Sequence, residues 1–186
     1  MGIHPASGIV IDVIDMEDAT LGGNRQQWLS YLGASSSRIE MYGMSNGVGQ
    51  MVTDVIRALG PSSLDRLRIW GHGWSGGQIV SAGGSANAAV QHWAGLTVQN
   101  LVAMRPTLLR LSPYFSPHAH VELRGCNVGQ GASGERLLEG LASIWGVPVQ
   151  AGTVVQTTGR WAGTVVQATP SGALTCETAT PVGTRP

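Results

Sequence analysis

The sequence predicts an α/β domain: a mostly parallel sheet, helices on both faces and a C-terminal β-hairpin. Three observations lead there. Short β-branched runs alternate with amphipathic helical segments, the order of crossover units that lay strands parallel. The chain has 186 residues and is 42% hydrophobic, enough for one domain with a real core. Its last part exchanges helices for β-branched runs parted by turn residues.

The elements follow in order. Gly8 to Asp15, GIVIDVID, is a β-branched run that reads as a buried strand. Asn24 caps a helix with Trp28, Leu29 and Leu32 on one face, ending near Gly33. Arg38 to Tyr42 alternates as a second strand. Asn46 opens the clearest helix, where Val48, Met51, Val52, Val55, Ile56 and Leu59 share a face and Gly60-Pro61 stops it. Leu67 to Trp70 is a third strand, followed at once by GHGWSGG. Residues 81 to 95 are small and polar and read as a loop. Leu96 to Leu111 has helical spacing interrupted by Pro106, which reads as a kink or as two short helices. Pro117, His118 and His120 read as a surface loop before a fourth strand, Val121 to Gly125, which runs into Cys126. A helix from Ser133 and a strand from Val147 to Ala151 complete the alternation. The hexapeptide AGTVVQ at 151–156 recurs at 162–167, and the pair reads as a hairpin. The single domain 1–186 then ends in a loose tail, 177–186.

Composition removes several classes of function. Lys and Arg total 11 and all are arginine, so P-loop and Schiff-base lysine chemistry is absent. Net charge is zero with no basic run, which argues against nucleic acid. No stretch reaches membrane-span length and no cleavable signal opens the chain. The expectation is a cytoplasmic protein, with secretion lacking a cleaved signal left open. Two cysteines, Cys126 and Cys176, exclude a disulfide scaffold, and no spacing indicates metal or another cofactor.

Two nucleophiles compete. Gly73-Trp74-Ser75-Gly76-Gly77 matches the serine elbow G-x-S-x-G. Every histidine after Ser75 precedes every acid after it, so the Ser, acid, His order cannot be built. The other reading takes His72 as base and Cys126 as nucleophile. Each follows a strand directly, and ligands of parallel sheets bind at that edge. A thiol attacks as thiolate, so it needs a base within reach.

The strand-His72-Gly73 segment RLRIWGHG and the strand-Cys126-Asn127 segment HVELRGCNVG resemble the caspase-like (clan CD) cysteine peptidases. The resemblance extends over the helix GERLLEGLASIWG and the W-x-G hairpin and is nearest to bacterial caspase-like domains of uncharacterised activity. It implies a three-layer caspase-like sandwich and peptide-bond hydrolysis without cofactor by a His72–Cys126 dyad on protein or peptide substrates. By position, the N–H groups of Gly73 and Cys126 would form the oxyanion hole. Arg124 would lie near the substrate side-chain pocket, with Asp12 and Asp15 as further pocket residues. Trp74 and Trp161 stand in glycine-rich loops, which makes one or the other the candidate wall of a substrate groove. The alternative is a catalytically silent caspase-like module that binds a protein partner in a toxin, defence or adhesion system. A serine hydrolase using Ser75 ranks third.

Overall fold

The computed structural model describes residues 8–17, 37–43, 46–81, 94–156 and 160–179. In chain order these form β1 (Ile9–Asp15), β2 (Ser37–Met41), α1 (Gly47–Leu59), β3 (Leu64–Trp70), β4 (Gly73–Trp74), β5 (Gly77–Ile79) and β6 (Gly95–Thr97). There follow α2 (Leu101–Leu109), β7 (Phe115–Leu123), α3 (Gly131–Trp145), β8 (Val149–Gly152), β9 (Thr164–Ala168) and β10 (Leu174–Thr178).

The central sheet has seven strands in the order β10-β9-β8-β7-β3-β1-β2. The five from β8 to β2 run parallel, and β9 and β10 add on antiparallel. A small antiparallel sheet, β4-β5-β6, sits beyond the end of β3. The parallel order follows from the helices, since a chain crossing through α1 or α3 returns to its starting edge.

Period-two alternation divides the large sheet into two unlike faces. Ile11, Val13, Leu67, Ile69, Val121, Leu123, Val149 and Ala151 point one way and are buried. They share one core with Val48, Met51 and Val55 of α1, Met104 and Leu108 of α2, and Leu137, Leu138 and Leu141 of α3. The Trp145 indole N–H donates to the Leu108 carbonyl at 3.1 Å and ties α3 to α2. The intervening strand positions carry Asp12, Arg66, Arg68, Trp70, His120, Glu122 and Arg124, a polar face. The three described helices all join the core on the apolar face. The expected helix over 24–33, on which helices on both faces depended, lies outside the described residues, as do residues 82–93.

Several local expectations change. Pro117, His118 and His120 belong to β7, because Arg66 pairs with His120 and Leu67 with Val121. Pro106 sits inside the single helix α2, where its missing N–H forfeits a bond to Val102, a position 86% exposed. The strand β6 takes residues expected to open that helix. Of the repeated hexapeptide, Ala151 and Gly152 of the first copy pair antiparallel with Val166 and Val165 of the second, as the hairpin reading expects, whereas Val154 to Gln156 leave the sheet. A further hairpin, β9–β10, turns at Thr169 to Ala173. Glu177 and Thr178, expected in the tail, pair with Val165 and Thr164; residues 180–186 lie outside the description.

Gly134 lets α3 press on the loop that follows β7. A Cβ there would lie 2.3 Å from the Gly129 carbonyl carbon and 2.6 Å from the Val128 oxygen, both backbone. Alanine is the better helix former by about 1 kcal/mol, but overpacking against rigid backbone costs about 1–3 kcal/mol. Gly134→Ala should therefore lower the melting temperature in thermal denaturation, against its helix propensity.

Candidate active site

β3 and β7 are neighbours in parallel register, Arg68 beside Glu122 and Ile69 beside Leu123. The chain therefore leaves both strands at the same edge. Gly71-His72-Gly73 follows β3, and Arg124-Gly125-Cys126 follows β7. The Arg124 N–H still donates to the Ile69 carbonyl at 2.8 Å, so the second segment starts locked to the first strand.

The two segments touch backbone to backbone, which only glycine permits. A Cβ on Gly73 would lie 2.8 Å from the Cys126 oxygen and 3.0 Å from its nitrogen. A Cβ on Gly125 would lie 3.0 Å from Gly73 Cα and 3.0 Å from the Gly71 oxygen. The N–H groups of Gly73 and Cys126, expected as oxyanion donors, thus belong to adjoining backbone. Immediately after the cysteine, Asn127 adopts φ 59°, a left-handed turn that asparagine tolerates.

Cys126 is half-buried and Cys176 is exposed on β10. The Gln156 N–H donates to Cys126 Sγ at 3.3 Å, and the thiol faces the Gln156 carbonyl at 3.8 Å. This contact accounts for the first hexapeptide copy. The N–H groups of Asn127 and Gly129 donate to the carbonyls of Val154 and Gly152 at 3.0 Å each, drawing that copy onto the cysteine loop. The Gln156 side chain then closes the segment on itself, accepting the Ala162 N–H at 2.9 Å.

Behind the loops lies Gln78, fully buried on β5. Its Oε1 accepts the Gly125 N–H at 2.8 Å and its Nε2 donates to the Ile79 carbonyl at 2.8 Å. Ser75 occupies the turn between β4 and β5, with no helix after it as a serine elbow requires. Its hydroxyl donates to the Gln130 carbonyl at 2.6 Å.

Arg124 enters a cavity of about 390 Å³ on the polar face, lined by Arg66, Arg68, Glu122, Arg160 and Trp161 besides itself. Its guanidinium lies 4.8 Å from the Trp70 ring centroid and 4.0 Å from that of Trp161, a cation–π sandwich. Asp12 is fully buried beneath the cavity. It accepts Arg68 Nη2 at 2.7 Å and the Trp70 indole N–H at 2.8 Å; Arg68 Nε lies 2.6 Å away without aiming its N–H at the carboxylate. Asp15 is fully buried too; it accepts the Glu17 N–H at 3.1 Å, and its Cβ lies 3.2 Å from where a Cβ on Gly71 would stand, against the loop that carries His72. Neither aspartate lines the cavity. Trp74 also lies apart from it, its ring lying over Gly77 at the β4–β5 turn.

Glu122 is the shared counter-ion, 3.2 Å from His120 and 3.5 Å from both Arg66 and Arg124. Burial is the largest influence on its carboxyl and acts upward. The His120 hydrogen bond and the charges of Arg124 and Arg66 outweigh it, so the carboxyl titrates below its ordinary value. Burial chiefly lowers the Arg124 value, helped by Arg68 and Arg66 and opposed by Glu122 and Asp12. Even so, a guanidinium remains cationic near neutrality.

A family profile, described as Domain of unknown function (DUF4347), matches residues 24–164 and so includes both loops. The chain belongs to this family. No curated protein and no solved structure matches it. In this DUF4347 domain the matched span also takes in Trp161, the groove-wall candidate that does line the cavity, and Gln78, Glu122 and Gln156, which sequence reasoning does not reach. The available signal was the polar alternation of LDRLRIW and HAHVELR, which on neighbouring strands places their charges together. Among the described residues, no helix is long and apolar enough to cross a membrane.

Replacing Glu122 by glutamine keeps the shape and removes the charge on which Arg66, Arg124 and His120 converge. The change should cost about 3 kcal/mol at neutral pH, as for one partner lost from a buried pair. A carboxyl lowered by folding contributes stability above its unfolded value, near 4.5, and loses it as pH falls through the lower folded one. The stability gap between wild type and Glu122→Gln, measured by urea denaturation, should therefore narrow in acid.

Proposed function

We propose that this domain is a thiol hydrolase of the caspase-like kind that cleaves peptide bonds, with Cys126 as nucleophile and His72 as base. The observation that carries the reading is the contact of the Gly71–Gly73 and Gly125–Cys126 backbones at the shared edge of adjacent parallel strands. In the reaction, His72 takes the thiol proton and Sγ attacks the scissile carbonyl carbon. The carbonyl oxygen becomes an oxyanion held by the N–H groups of Gly73 and Cys126. Donors fixed in advance stabilise such charge by roughly 3–4 kcal/mol each. The C–N bond then breaks, and the amine leaves with the proton carried by His72. Water, deprotonated by His72, hydrolyses the thioester and restores the thiol. Gln156, resting on Sγ at 3.3 Å, has to give way to substrate.

The arginine cavity supports a preference for an acidic side chain, held by Arg124 through a charge-assisted contact. The opposite preference, for a basic side chain held by Asp12 or Asp15, is disfavoured because Arg68 and Trp70 already engage Asp12 and Asp15 is fully buried and does not line the cavity. In a peptide library, cleavage should follow acidic residues; cleavage after apolar residues alone would reject this assignment.

The alternative, a silent module that binds a protein partner, draws on the Gln156 backbone occupying the thiol. Alkylation separates the two readings. Cys176 is the more exposed thiol, so exposure alone makes it the faster to react. An activated Cys126 should nonetheless alkylate faster near neutral pH, and His72→Ala should slow it. Cys126→Ala should abolish cleavage in a folded domain, by several orders of magnitude, with His72→Ala/Cys126→Ala no worse. Ser75→Ala should leave cleavage largely intact. A Cys126 slower than Cys176 and indifferent to His72→Ala would favour the binding module.

A further inference from the structure

We infer that Gln78 is the positioning residue of this site: its buried carboxamide clamps the loop carrying His72 to the amide that precedes Cys126. The inference rests on the thiol reading for its consequence, though not for its geometry.

Gln78 is fully buried in the middle of β5, and both ends of its carboxamide are engaged. Oε1 accepts the N–H of Gly125 at 2.8 Å. Nε2 donates to the Ile79 carbonyl at 2.8 Å and approaches the His72 carbonyl at 3.4 Å. The His72 carbonyl also accepts the Ile79 N–H at 2.8 Å, so β5 holds the His72 loop through backbone and side chain together. The glycines on either side agree with this arrangement. A Cβ on Gly125 would stand 2.6 Å from Oε1, and one on Gly71 would stand 3.3 Å from Nε2. The carboxamide occupies the space that side chains at 71 and 125 would need.

Gly125 N–H belongs to the Arg124–Gly125 peptide, one peptide ahead of the one that carries Cys126 N–H. Fixing it holds Gly125 against Gly71 and Gly73, and so fixes where the cysteine loop starts beside the loop carrying His72. Glutamine suits the task because it is neutral and offers a donor and an acceptor on one planar group. Methionine matches its length but leaves the buried Gly125 N–H without an acceptor, so the loop must turn to find another. An ionised glutamate keeps an acceptor and turns negative charge on the Ile79 and His72 carbonyls. A protonated glutamic acid restores one donor and one acceptor in the same shape.

Three measurements on the whole domain test the clamp: hydrogen exchange of the Gly125 amide, the Cys126 alkylation rate relative to Cys176, and the melting temperature. Gln78→Met should lower Gly125 protection roughly tenfold or more, the cost of an orphaned buried donor. The Cys126 alkylation advantage should fall with it while the protein remains folded at the assay temperature. Gln78→Glu should lose Gly125 protection near neutral pH and regain it in acid, once its own carboxyl is protonated. A side chain that merely filled space would produce no such pH dependence. An unprotected Gly125 amide in wild type, or protection unchanged in Gln78→Met, would overturn the clamp. So would failure of both variants to fold, since Gln78 would then hold the core and not the loop. A wild-type Cys126 no more reactive than Cys176 would remove the thiol reading alone; the clamp stands or falls on Gly125 exchange.

Discussion

Charges buried on one face of a sheet lose their hydration, and only their mutual arrangement offsets that loss. On β3 and β7 the arrangement is a ladder in register. Asp12 meets Arg68, Arg68 lies beside Glu122, and Glu122 spreads over His120, Arg66 and Arg124. The constraint comes from the strands themselves: with apolar side chains on alternate positions committed to the helices, the charged ones have no other face. Parallel strands covered on both sides usually read as continuous apolar runs. These two do not, and the cavity beside Arg124 is the result. Its arginines outnumber the two carboxylates that serve them, leaving it cationic.

The candidate site is joined to this ladder by very short connections. Arg124 ends the polar face, and Cys126, two residues on, begins the loop at the strand edge. A single segment, between β8 and β9, reaches both. Its Gln156 backbone contacts the thiol and its Trp161 ring covers the guanidinium. From the opposite side, Gln78 ties the cysteine loop to the histidine loop, and Gly134 lets α3 support it from below. The edge is thus fixed by hydrogen bonds from behind and covered by a longer connection in front.

The strand ends, the helix over Gly47–Leu59 and the helix ending at Trp145 were legible because each is specified locally. A 3.6-residue apolar period, a glycine stop or a β-branched run needs no distant partner to be recognised. The placement of His72 and Cys126 past strand ends followed from the same signals, and adjacency of their strands followed from the crossover between them. Gln78 was not legible, since a lone glutamine in a glycine-rich run gains meaning only when Gly125 arrives from 47 positions away. Asp12 and Asp15 looked equivalent in GIVIDVID, yet odd spacing parts them, one under Arg68 and the other against Gly71 of the loop that carries His72.

The hexapeptide AGTVVQ marks the boundary most directly. Both copies have the same strand propensity, and the sequence alone makes a hairpin of them. In the structure Ala151 and Gly152 do pair antiparallel with Val166 and Val165, but past Thr153, whose N–H still donates to the Thr164 carbonyl, the first copy turns to the cysteine loop, where the Asn127 N–H takes the carbonyl at 154. Identical residues take different conformations because their partners differ. By itself the sequence determined the alternation of elements, the edge at which the two motifs emerge and the split between apolar and charged strand faces, all consequences of local period. Only the tertiary structure decided which backbone groups meet there, because those hydrogen bonds join segments that have no local reason to find each other.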